Sequence, residues 1–303
     1  MEINQRIGFI GAGNIAEVMI RGLLGHAAAR AEQITASVPR TSRAVELRER
    51  WGIEVFHDNA EVVRRSDVVV LAVKPQMLLA VLEEIAGEAD ASKLFLSVAA
   101  GAPLRAIESR LGRGVRVVRA MPNTAVLVQA GATAVAPGTH ATEEDLALVQ
   151  RIFDAVGVTA IVEEHQLDAV TGLSGSGPAY AMLVLEAMSD GGVRAGLTRR
   201  ASQLLAAQTL LGAARLVLET GTHPAILREM VTSPGGTAIT GLHVLEEHGV
   251  RAAMISAIEA ATRRARELGE AFEEKAEGRR QKAEGKSEVR RQKAEGRSRP
   301  PSS

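Results

Sequence analysis

Apolar positions in the first 165 residues fall into short runs that are separated by amphipathic stretches. Short apolar runs predict β-strands, and the stretches between them, with apolar residues at helical spacing, predict crossover helices. Residues 132–136 and 158–162 form two such runs, on either side of a helix predicted to begin near Thr142. Strands that alternate with helices are typical of a parallel sheet in an α/β fold. The other predicted strands are Arg6–Ile10, Gln33–Val38, Ile53–Phe56, Asp67–Val73, Lys93–Val98 and Val115–Ala120.

From Gln166 onward the strand pattern stops and helical periodicity replaces it. Two long helical segments are predicted at about 175–194 and 198–219, and shorter ones follow up to about Phe272. Turn-forming residues, such as the Ser-Pro-Gly-Gly segment at 233–236, separate these helices. The pattern predicts an all-α second domain.

The end of the chain has a different pattern, because the tetrapeptide Lys-Ala-Glu-Gly occurs there three times. This charged segment has too few apolar residues to bury a core of its own, and we therefore predict that it is disordered. The predicted domain boundaries are 1–164 for the α/β domain, 165–272 for the helical domain and 273–303 for the disordered charged tail.

The composition excludes several classes of protein. The chain has no cysteine, which excludes disulfides, thiolate catalysis and iron–sulfur clusters. Its seven histidines are scattered and lack the His-Glu-x-x-His spacing, so no metal site is predicted. There is neither an apolar run of about 18 residues nor a signal-peptide pattern. These absences predict a cytoplasmic protein that does not enter a membrane.

The net charge of zero is the average of two unequal parts. Residues 274–303 contain ten basic and five acidic side chains, and the remainder contains 26 basic and 31 acidic ones. The body of the protein therefore carries a net charge of −5 and is not expected to bind nucleic acid. Only the basic tail has a charge that suits weak contact with acidic surfaces.

A glycine-rich turn follows the first predicted strand. Gly11 permits a tight turn, Gly13 lets the backbone approach a pyrophosphate, and Ala16 is small enough for close packing of helix on strand. The backbone N–H groups of Asn14 and Ile15 then open the first helix and face the anion. The turn predicts dinucleotide binding by a Rossmann-type, doubly wound domain.

The end of the second predicted strand bears on the choice of cofactor. NAD-binding domains usually place an acidic residue there, which accepts hydrogen bonds from the ribose 2′-hydroxyl. Residues 37–43 contain no acid and two arginines, Arg40 and Arg43, beside the hydroxyl of Ser37. Hydroxyls and cations suit a 2′-phosphate, so Ser37 and Arg40 are candidate ligands and NADPH is the predicted cofactor, with NADH left as possible.

Five further motifs occur in a fixed order between about residues 6 and 270. Together they resemble the pyrroline-5-carboxylate reductase family. The matching segments are Ala72–Gln76, Ser97–Gly101, Arg119–Thr124, Gly172–Tyr180 and His223–Thr237.

The resemblance implies a reaction, a fold and an assembly. The reaction is the reduction of 1-pyrroline-5-carboxylate to L-proline with NAD(P)H, the final step of proline biosynthesis. The fold is a Rossmann domain followed by an all-α dimerisation domain. The assembly is a homodimer with interleaved helices, which in this family often forms a ring of dimers.

Candidate cofactor residues follow the ends of predicted strands, where ligands of open α/β sheets bind. The resemblance also places Asn59 near the adenine end of the cofactor. Ordinary turns at strand ends are the alternative interpretation. The candidates at strand ends are Val73, Lys74, Pro75, Ala99, Ala100 and Asn123.

The best candidate for a substrate site is the segment from Ser233 to Ala238. Gly235 and Gly236 precede a helix predicted at Ala238–Glu247, so the free N–H groups at its start are open to a carboxylate. A simple helix-start signal is the alternative. Glu164, at the predicted domain junction, falls on a position that the resemblance associates with substrate contact, and a surface acid is the alternative interpretation.

One position departs from the pattern of the family. The threonine thought to hydrogen-bond the substrate nitrogen is replaced by Ala238, and the hydroxyl stands one position earlier, at Thr237. We therefore name Thr237 and Ser176 as candidate catalytic residues, with a bound water as the alternative. A protonated cyclic imine needs little acid catalysis, so the loss need not abolish the reaction.

Two other functions stay open on the sequence alone. A 3-hydroxyacid dehydrogenase of similar fold would need a lysine in the second domain, but Lys74 and Lys93 are the only lysines before residue 274. A reductase-like regulator that binds the nucleotide without turnover is the second alternative, which the replacement at Ala238 keeps open.

Overall fold

The computed structural model describes residues 3–297, which form one eight-stranded sheet and twelve α-helices. The strand order is β3-β2-β1-β4-β5-β6-β7-β8, and within it only β6 and β7 pair antiparallel. The order 3-2-1-4-5-6 is that of a Rossmann domain, which confirms the predicted fold class. The strands are β1 (Ile7–Ile10), β2 (Ile34–Ser37), β3 (Glu54–Phe56), β4 (Val68–Leu71), β5 (Leu94–Ser97), β6 (Arg116–Met121), β7 (Gly131–Pro137) and β8 (Gly157–Ile161).

Seven helices accompany the sheet, and several begin at residues that favour a helix start. Asp58 caps α3 by accepting a hydrogen bond from the N–H of Ala60, and Thr142 with Asp145 forms a capping box at α6. These helices are α1 (Asn14–Gly25), α2 (Thr41–Trp51), α3 (Asn59–Arg65), α4 (Pro75–Ile85), α5 (Leu104–Leu111), α6 (Glu143–Asp154) and α7 (Leu167–Val170).

The central strands β1, β4 and β5 are buried on both faces, as their continuous apolar runs predict. Successive side chains point to opposite faces of a strand. Phe9 therefore joins a core cluster with Ile20 of α1 and Leu47 of α2. Its neighbour Ile10 joins another cluster with Leu78 of α4. Helices thus cover both faces, which makes the sheet doubly wound.

A second compact unit, residues 176–261, contains helices joined by turns and no strand in the structure. Within it α8 and α9 pack on each other, and the Ser202 hydroxyl donates to the Ser189 carbonyl oxygen at 2.6 Å. The all-α second domain is thereby confirmed. The helices that lie in or begin in this unit are α8 (Gly177–Arg194), α9 (Arg199–Thr220), α10 (Pro224–Met230), α11 (Thr237–Glu247) and α12 (Val250–Arg297).

The helical unit leaves many large apolar side chains exposed to solvent. Leu204 and Leu218 of α9 are 68% and 74% exposed. Among its described residues only Ser189, Ser202 and Ala206 are buried. One helix of the described residues, α9, is long and apolar enough to cross a membrane by length and composition alone. A set of exposed apolar side chains this large marks an interaction surface.

The compact units do not follow the predicted boundaries at 164 and 272. The first unit comprises residues 1–175 together with the chain from Thr262 onward. The difference arises because packing, and not helix content, defines a unit. The helical periodicity of residues 262–272 gave no sign that Phe272 packs with α4.

The structure describes residues 273–297 as the continuation of helix α12, and the predicted disorder of this segment stays a prediction. Ala276 is buried against Leu79 of α4 and Ala106 of α5. The prediction considered only the scarcity of apolar residues. The alanine, glutamate, lysine, arginine and glutamine of the repeat are all strong helix formers.

Candidate active site

The turn after β1 has the backbone that its first glycine predicts. Gly11 has φ of +85°, a region that side-chain-bearing residues rarely adopt. A Cβ atom built on Gly11 would lie 2.6 Å from Cγ1 of Val73. Only glycine therefore fits, and the turn brings the end of β1 against the segment that follows β4.

The start of α1 forms an open cradle for an anion. Gly13 is the N-cap residue, and a Cβ built on it would meet nothing within 4 Å. No side chain of the described residues caps this helix, so the first N–H groups, at Asn14 and Ile15, have no acceptor there. Their unpaired donors and the helix dipole suit a pyrophosphate. The residues present thus fit a dinucleotide.

Ser37 and Asn59 are brought together at the end of β2. The Ser37 hydroxyl donates to Oδ1 of Asn59 at 2.6 Å, and Nδ2 of Asn59 donates to Glu84 at 2.9 Å. Ser37 is 2% exposed, whereas Asn59 is partly exposed at the first position of α3. This pair forms one wall at the carboxyl end of β2.

The two arginines near the start of α2 have different surroundings. Arg43 forms ion pairs with Glu17 and Glu46 and also donates to the Ala12 carbonyl oxygen. Arg40 is the N-cap residue of α2, is exposed, and makes no ion pair within residues 3–297. Arg40 is therefore the cation available to a ligand at this end of the sheet.

Glu17 holds Arg43 in place through a partly buried network. Its side chain is 18% exposed and also accepts hydrogen bonds from Arg50 and from the Trp51 indole. Burial acts to raise the pKa of Glu17, but the hydrogen bonds and charges of these partners outweigh it and hold the pKa below its usual value. The carboxylate is therefore ionised at neutral pH and paired with Arg43.

The ends of three parallel strands bring the other cofactor candidates to one edge of the sheet. Ile10 of β1, Leu71 of β4 and Ser97 of β5 lie in register. The segments that follow these ends are therefore neighbours. They carry the candidates Val73, Lys74 and Pro75 after β4, and Ala99 and Ala100 after β5.

Asn123 occupies a structural position, since its side chain bonds to three backbone groups. Its Oδ1 accepts hydrogen bonds from the N–H groups of Ala125 and Ala132, at 3.2 and 3.1 Å. Its Nδ2 donates to the Ser174 carbonyl oxygen at 3.1 Å. Asn123 thus fixes the Met-Pro-Asn-Thr loop between β6 and β7, whatever further contact it makes with a cofactor.

Glu164 also has partners within the chain. Its Oε1 accepts a hydrogen bond from the N–H of Leu104 at 2.6 Å and lies 3.2 Å from Nη1 of Arg119. The Arg119 side chain is 9% exposed, and that of Glu164 is 35% exposed. Glu164 therefore anchors the start of α5 to β6 and still presents part of its carboxyl group to solvent.

The candidate substrate segment lies in the helical unit and precedes α11. Gly235 has φ of +65°, and the N–H of Gly236 donates to the Ser233 carbonyl oxygen at 3.0 Å. Thr237 and Ala238 are the first two residues of α11, and no side chain of the described chain caps that helix. Their N–H groups are thus open, and the Thr237 side chain is exposed.

Ser176 stands directly before α8, in the same helical unit. Its carbonyl oxygen accepts a hydrogen bond from the N–H of Ala179, and no described hydrogen bond joins its side chain to Thr237. The structure therefore divides the predicted site: the cofactor candidates and Glu164 belong to the first unit, and Ser176 and residues 233–238 belong to the second.

Sequence reasoning did not identify Arg119 and Glu17 as residues that support the site. Arg119 had a signal, since it is a charge inside the apolar run of a predicted strand. Glu17 had none, because its partner Arg43 is 26 positions away in the chain. Within the described residues there is also no group of three or more acidic or histidine side chains that could hold a metal ion.

Two family models match the chain. The model for pyrroline-5-carboxylate reductase dimerisation matches residues 164–268. The model for NADP oxidoreductase, coenzyme F420-dependent, matches residues 6–101. The two matches correspond to the helical region and to the first part of the Rossmann domain.

Relatives match over nearly their whole length. Pyrroline-5-carboxylate reductase from Methanosarcina acetivorans is 49% identical over 266 residues, which cover 88% of this chain and 98% of the relative. The structure of a pyrroline-5-carboxylate reductase from Coxiella burnetii superimposes with a TM-score of 0.84 at 38% identity, covering 88% of this chain and 99% of that one.

A further solved structure is that of Plasmodium falciparum pyrroline carboxylate reductase with NADP bound. It superimposes with a TM-score of 0.78 at 29% identity, and the match covers 89% of this chain and 100% of that one. With its motifs, its strand order and its identity to these relatives, the chain belongs to the pyrroline-5-carboxylate reductase family.

Proposed function

We propose that the protein reduces 1-pyrroline-5-carboxylate to L-proline by hydride transfer from a nicotinamide dinucleotide, the final step of proline biosynthesis. One observation carries this proposal: the 49% identity to a pyrroline-5-carboxylate reductase over 98% of that relative. A match of this extent includes both the dinucleotide turn and the helical segment 164–268.

The first unit binds and orients the dinucleotide. The N–H groups of Asn14 and Ile15 hold its pyrophosphate, and the segments after β4 and β5 form the wall beside the nicotinamide. When bound, the reduced dinucleotide supplies the hydride that reduces the C=N bond. The protein's part is to hold donor and acceptor in contact, which is the main need of this reaction.

The segment before α11 binds the substrate. The open N–H groups at Thr237 and Ala238 donate hydrogen bonds to the substrate carboxylate at the positive end of the helix. The imine nitrogen carries its proton when the substrate binds as the iminium, so the hydroxyl of Thr237 or of Ser176 orients the ring. Neither hydroxyl needs to act as a strong acid.

NADPH is the preferred cofactor in this proposal, with NADH as a weaker alternative. The support is the free charge of Arg40 and the lack of an acidic residue in 37–43. The Plasmodium falciparum relative, with NADP bound, is consistent with it. A comparison of KM for the two cofactors tests the preference, and a lower KM for NADH would overturn it.

The protein is a homodimer in this proposal, and the further assembly of dimers into a ring stays a prediction. The family match at 164–268 is a dimerisation region, and a second subunit would bury the exposed leucines of α9. A cytoplasmic location and the absence of membrane insertion also stay predictions. Light scattering on the purified protein measures the mass: a dimer or a multiple of it is expected, and a stable monomer would contradict the proposal.

An assay of the purified protein tests the reaction. We expect loss of NADPH absorbance that depends on added pyrroline-5-carboxylate, with proline formed in equal amount. Parallel reactions with piperideine-6-carboxylate measure the tolerance for a larger ring. Tight NADPH binding without turnover would favour the regulator instead.

A further inference from the structure

The C-terminal part of α12 forms one side of an open cavity on the first unit, in which Lys275 and Arg279 are exposed. Its volume is about 610 Å³, within the range of small-molecule sites. One wall comprises Leu79 of α4 and the Ala100–Gly101 segment after β5, and the opposite wall comprises Leu268 and Phe272 of α12. Leu268 lies within the family-model match and Phe272 lies beyond it, so the family region and the C-terminal segment both contribute to this wall.

Two cations face this mostly apolar cavity. Lys275 and Arg279 both line it, one helical turn apart on α12. Neither makes an ion pair within the described residues, and the neighbours of Lys275 one turn away, Ala271 and Gly278, carry no charge. Like charges at this spacing repel each other. An anion between them would relieve the repulsion.

Acidic and basic side chains of α12 lie on different sides of the helix. Glu273 and Glu277 line a separate depression together with Arg105 and Arg110. On that side Arg110 also donates a hydrogen bond to the carbonyl oxygen of Ala276 at 2.6 Å, which holds the helix. Glu273 and Glu277 therefore line a different depression from the cavity that Lys275 and Arg279 line.

The cavity contains one carboxylate, and it has its own cation. Asp168 lines the cavity, and its Oδ2 lies 3.9 Å from Nε of Arg266. Within the described residues Asp168 forms no ion pair with Lys275 or Arg279. The remaining polar lining is neutral, at Gln76 and Thr171.

We propose that this cavity binds a small organic anion with an apolar body. The anionic group lies between Lys275 and Arg279, and the apolar body packs on Leu268 and Phe272. The site is separate from the proposed substrate segment at 233–238. It shares Pro75 and Ala100 with the candidate cofactor residues, and the test therefore includes the cofactor as a competitor.

The test uses the full-length protein and the fluorescent probe 8-anilinonaphthalene-1-sulfonate, an aromatic body with one anionic group. The charge variant K275Q/R279Q is expected to weaken probe binding roughly tenfold or more, because two charge-assisted contacts are lost. The matched control R113Q removes an exposed arginine of the same unit outside the cavity and should bind like the wild type.

A second variant blocks the space instead of the charge. Gly278 lines the cavity, and a Cβ built on it would meet nothing within 4 Å. Gly278→Leu therefore keeps the helix and fills the cavity, and it is expected to abolish probe binding at this site. Gly278→Ala is its matched control and should bind the probe. Thermal unfolding of each variant verifies that it is folded.

Competition identifies the ligand chemistry. Octanoate should displace the probe, and octylamine, with the same chain and the opposite charge, should not. Equal probe binding by the wild type and K275Q/R279Q overturns the proposal, as does full displacement by NADPH, which would assign the cavity to the cofactor. Because the readout is binding, a protein without reductase activity would still test this site.

Discussion

At the scale of single residues, the sharpest hypothesis is that the hydroxyl of Thr237, the first residue of α11, hydrogen-bonds the substrate nitrogen. Thr237 is exposed at the first position of α11, and Ala238 stands where the family has a threonine. We expect Thr237→Ala to lower kcat/KM about ten- to a hundredfold, the effect of losing one hydrogen bond to a charged group. Steady-state kinetics with pyrroline-5-carboxylate measure this change.

The double variant T237A/A238T is the matched control, since it moves the hydroxyl one position along the helix to the site used in the family. It is expected to recover most of the lost activity. Ser176→Ala measures the other candidate. Full turnover by both single alanine variants would mean that neither side chain contacts the substrate nitrogen.

Glu17 offers a second prediction, on stability. Glu17→Gln removes the ionised partner of Arg43 and should lower the free energy of unfolding by about 1–2 kcal/mol at neutral pH. The folded-state pKa of Glu17 lies below its usual value. Its stabilisation is therefore present above the unfolded pKa of about 4.3 and is lost as the pH falls through the folded-state pKa.

Denaturant unfolding of both proteins at neutral and at acidic pH measures this dependence. The difference between wild type and Glu17→Gln should shrink as the pH falls below about 4. Glu46→Gln is the control, because Glu46 also pairs with Arg43 but is half exposed. A difference that stays constant with pH would show that the carboxylate charge of Glu17 is not the cause.

Residues that act through local backbone geometry could be predicted from the sequence, and residues that act through distant partners could not. Gly11 and Gly13 are examples of the first kind, since a tight turn and an open helix start are local properties. Arg43 is an example of the second kind. The sequence groups it with Arg40 as a cation near the cofactor, yet in the structure its charge is paired with Glu17 of α1.

At the scale of elements, the start of α2 decides the cofactor prediction. Arg40 is free there, while Arg43 is paired. We expect Arg40→Gln to raise the Kd for NADPH about tenfold, the loss of one charge-assisted contact, and to leave the Kd for NADH nearly unchanged. Fluorescence titration with both cofactors gives the two constants.

Arg43→Gln separates the two arginines. It should reduce thermal stability, because Glu17 loses a partner, while the ratio of the two cofactor affinities stays near that of the wild type. The assignment of the 2′-phosphate to Arg40 fails if Arg43→Gln alters that ratio and Arg40→Gln does not.

The positions of the elements were largely predictable, but their pairing was not. All eight predicted strands occur within about two residues of their bounds, because apolar runs report burial directly. The antiparallel pairing of β6 with β7 had no local signal. The prediction of disorder from 273 judged composition by the scarcity of apolar residues alone, whereas a helix there draws on helix propensity and on the contact of Ala276 with α4.

At the scale of the whole molecule, the net charge of zero is an average over two parts of the chain, and the exposed leucines belong to the helical unit. The body is mildly acidic and the C-terminal segment is basic. The helical unit buries few of its own apolar side chains, which is expected of a unit completed by a second copy. Helical periodicity along a single chain predicts the helices of this unit, but it carries no information about a partner chain.

Truncation after Phe272 tests how the C-terminal segment contributes. It removes the contacts of Ala276 with α4 and α5, but it removes none of the residues predicted to bind the cofactor or the substrate. We expect kcat/KM within about twofold of the full-length value and a Tm lower by a few degrees, roughly the effect of 1–2 kcal/mol. A large loss of turnover in the folded, truncated protein would show that the segment belongs to the reaction site.

The central claim is the reduction of a cyclic imine acid, and one measurement addresses it most directly. Purified full-length protein is mixed with NADPH and pyrroline-5-carboxylate, and NADPH absorbance and proline are followed together. One proline is expected to form for each NADPH consumed. Binding of NADPH with no proline formed would contradict it.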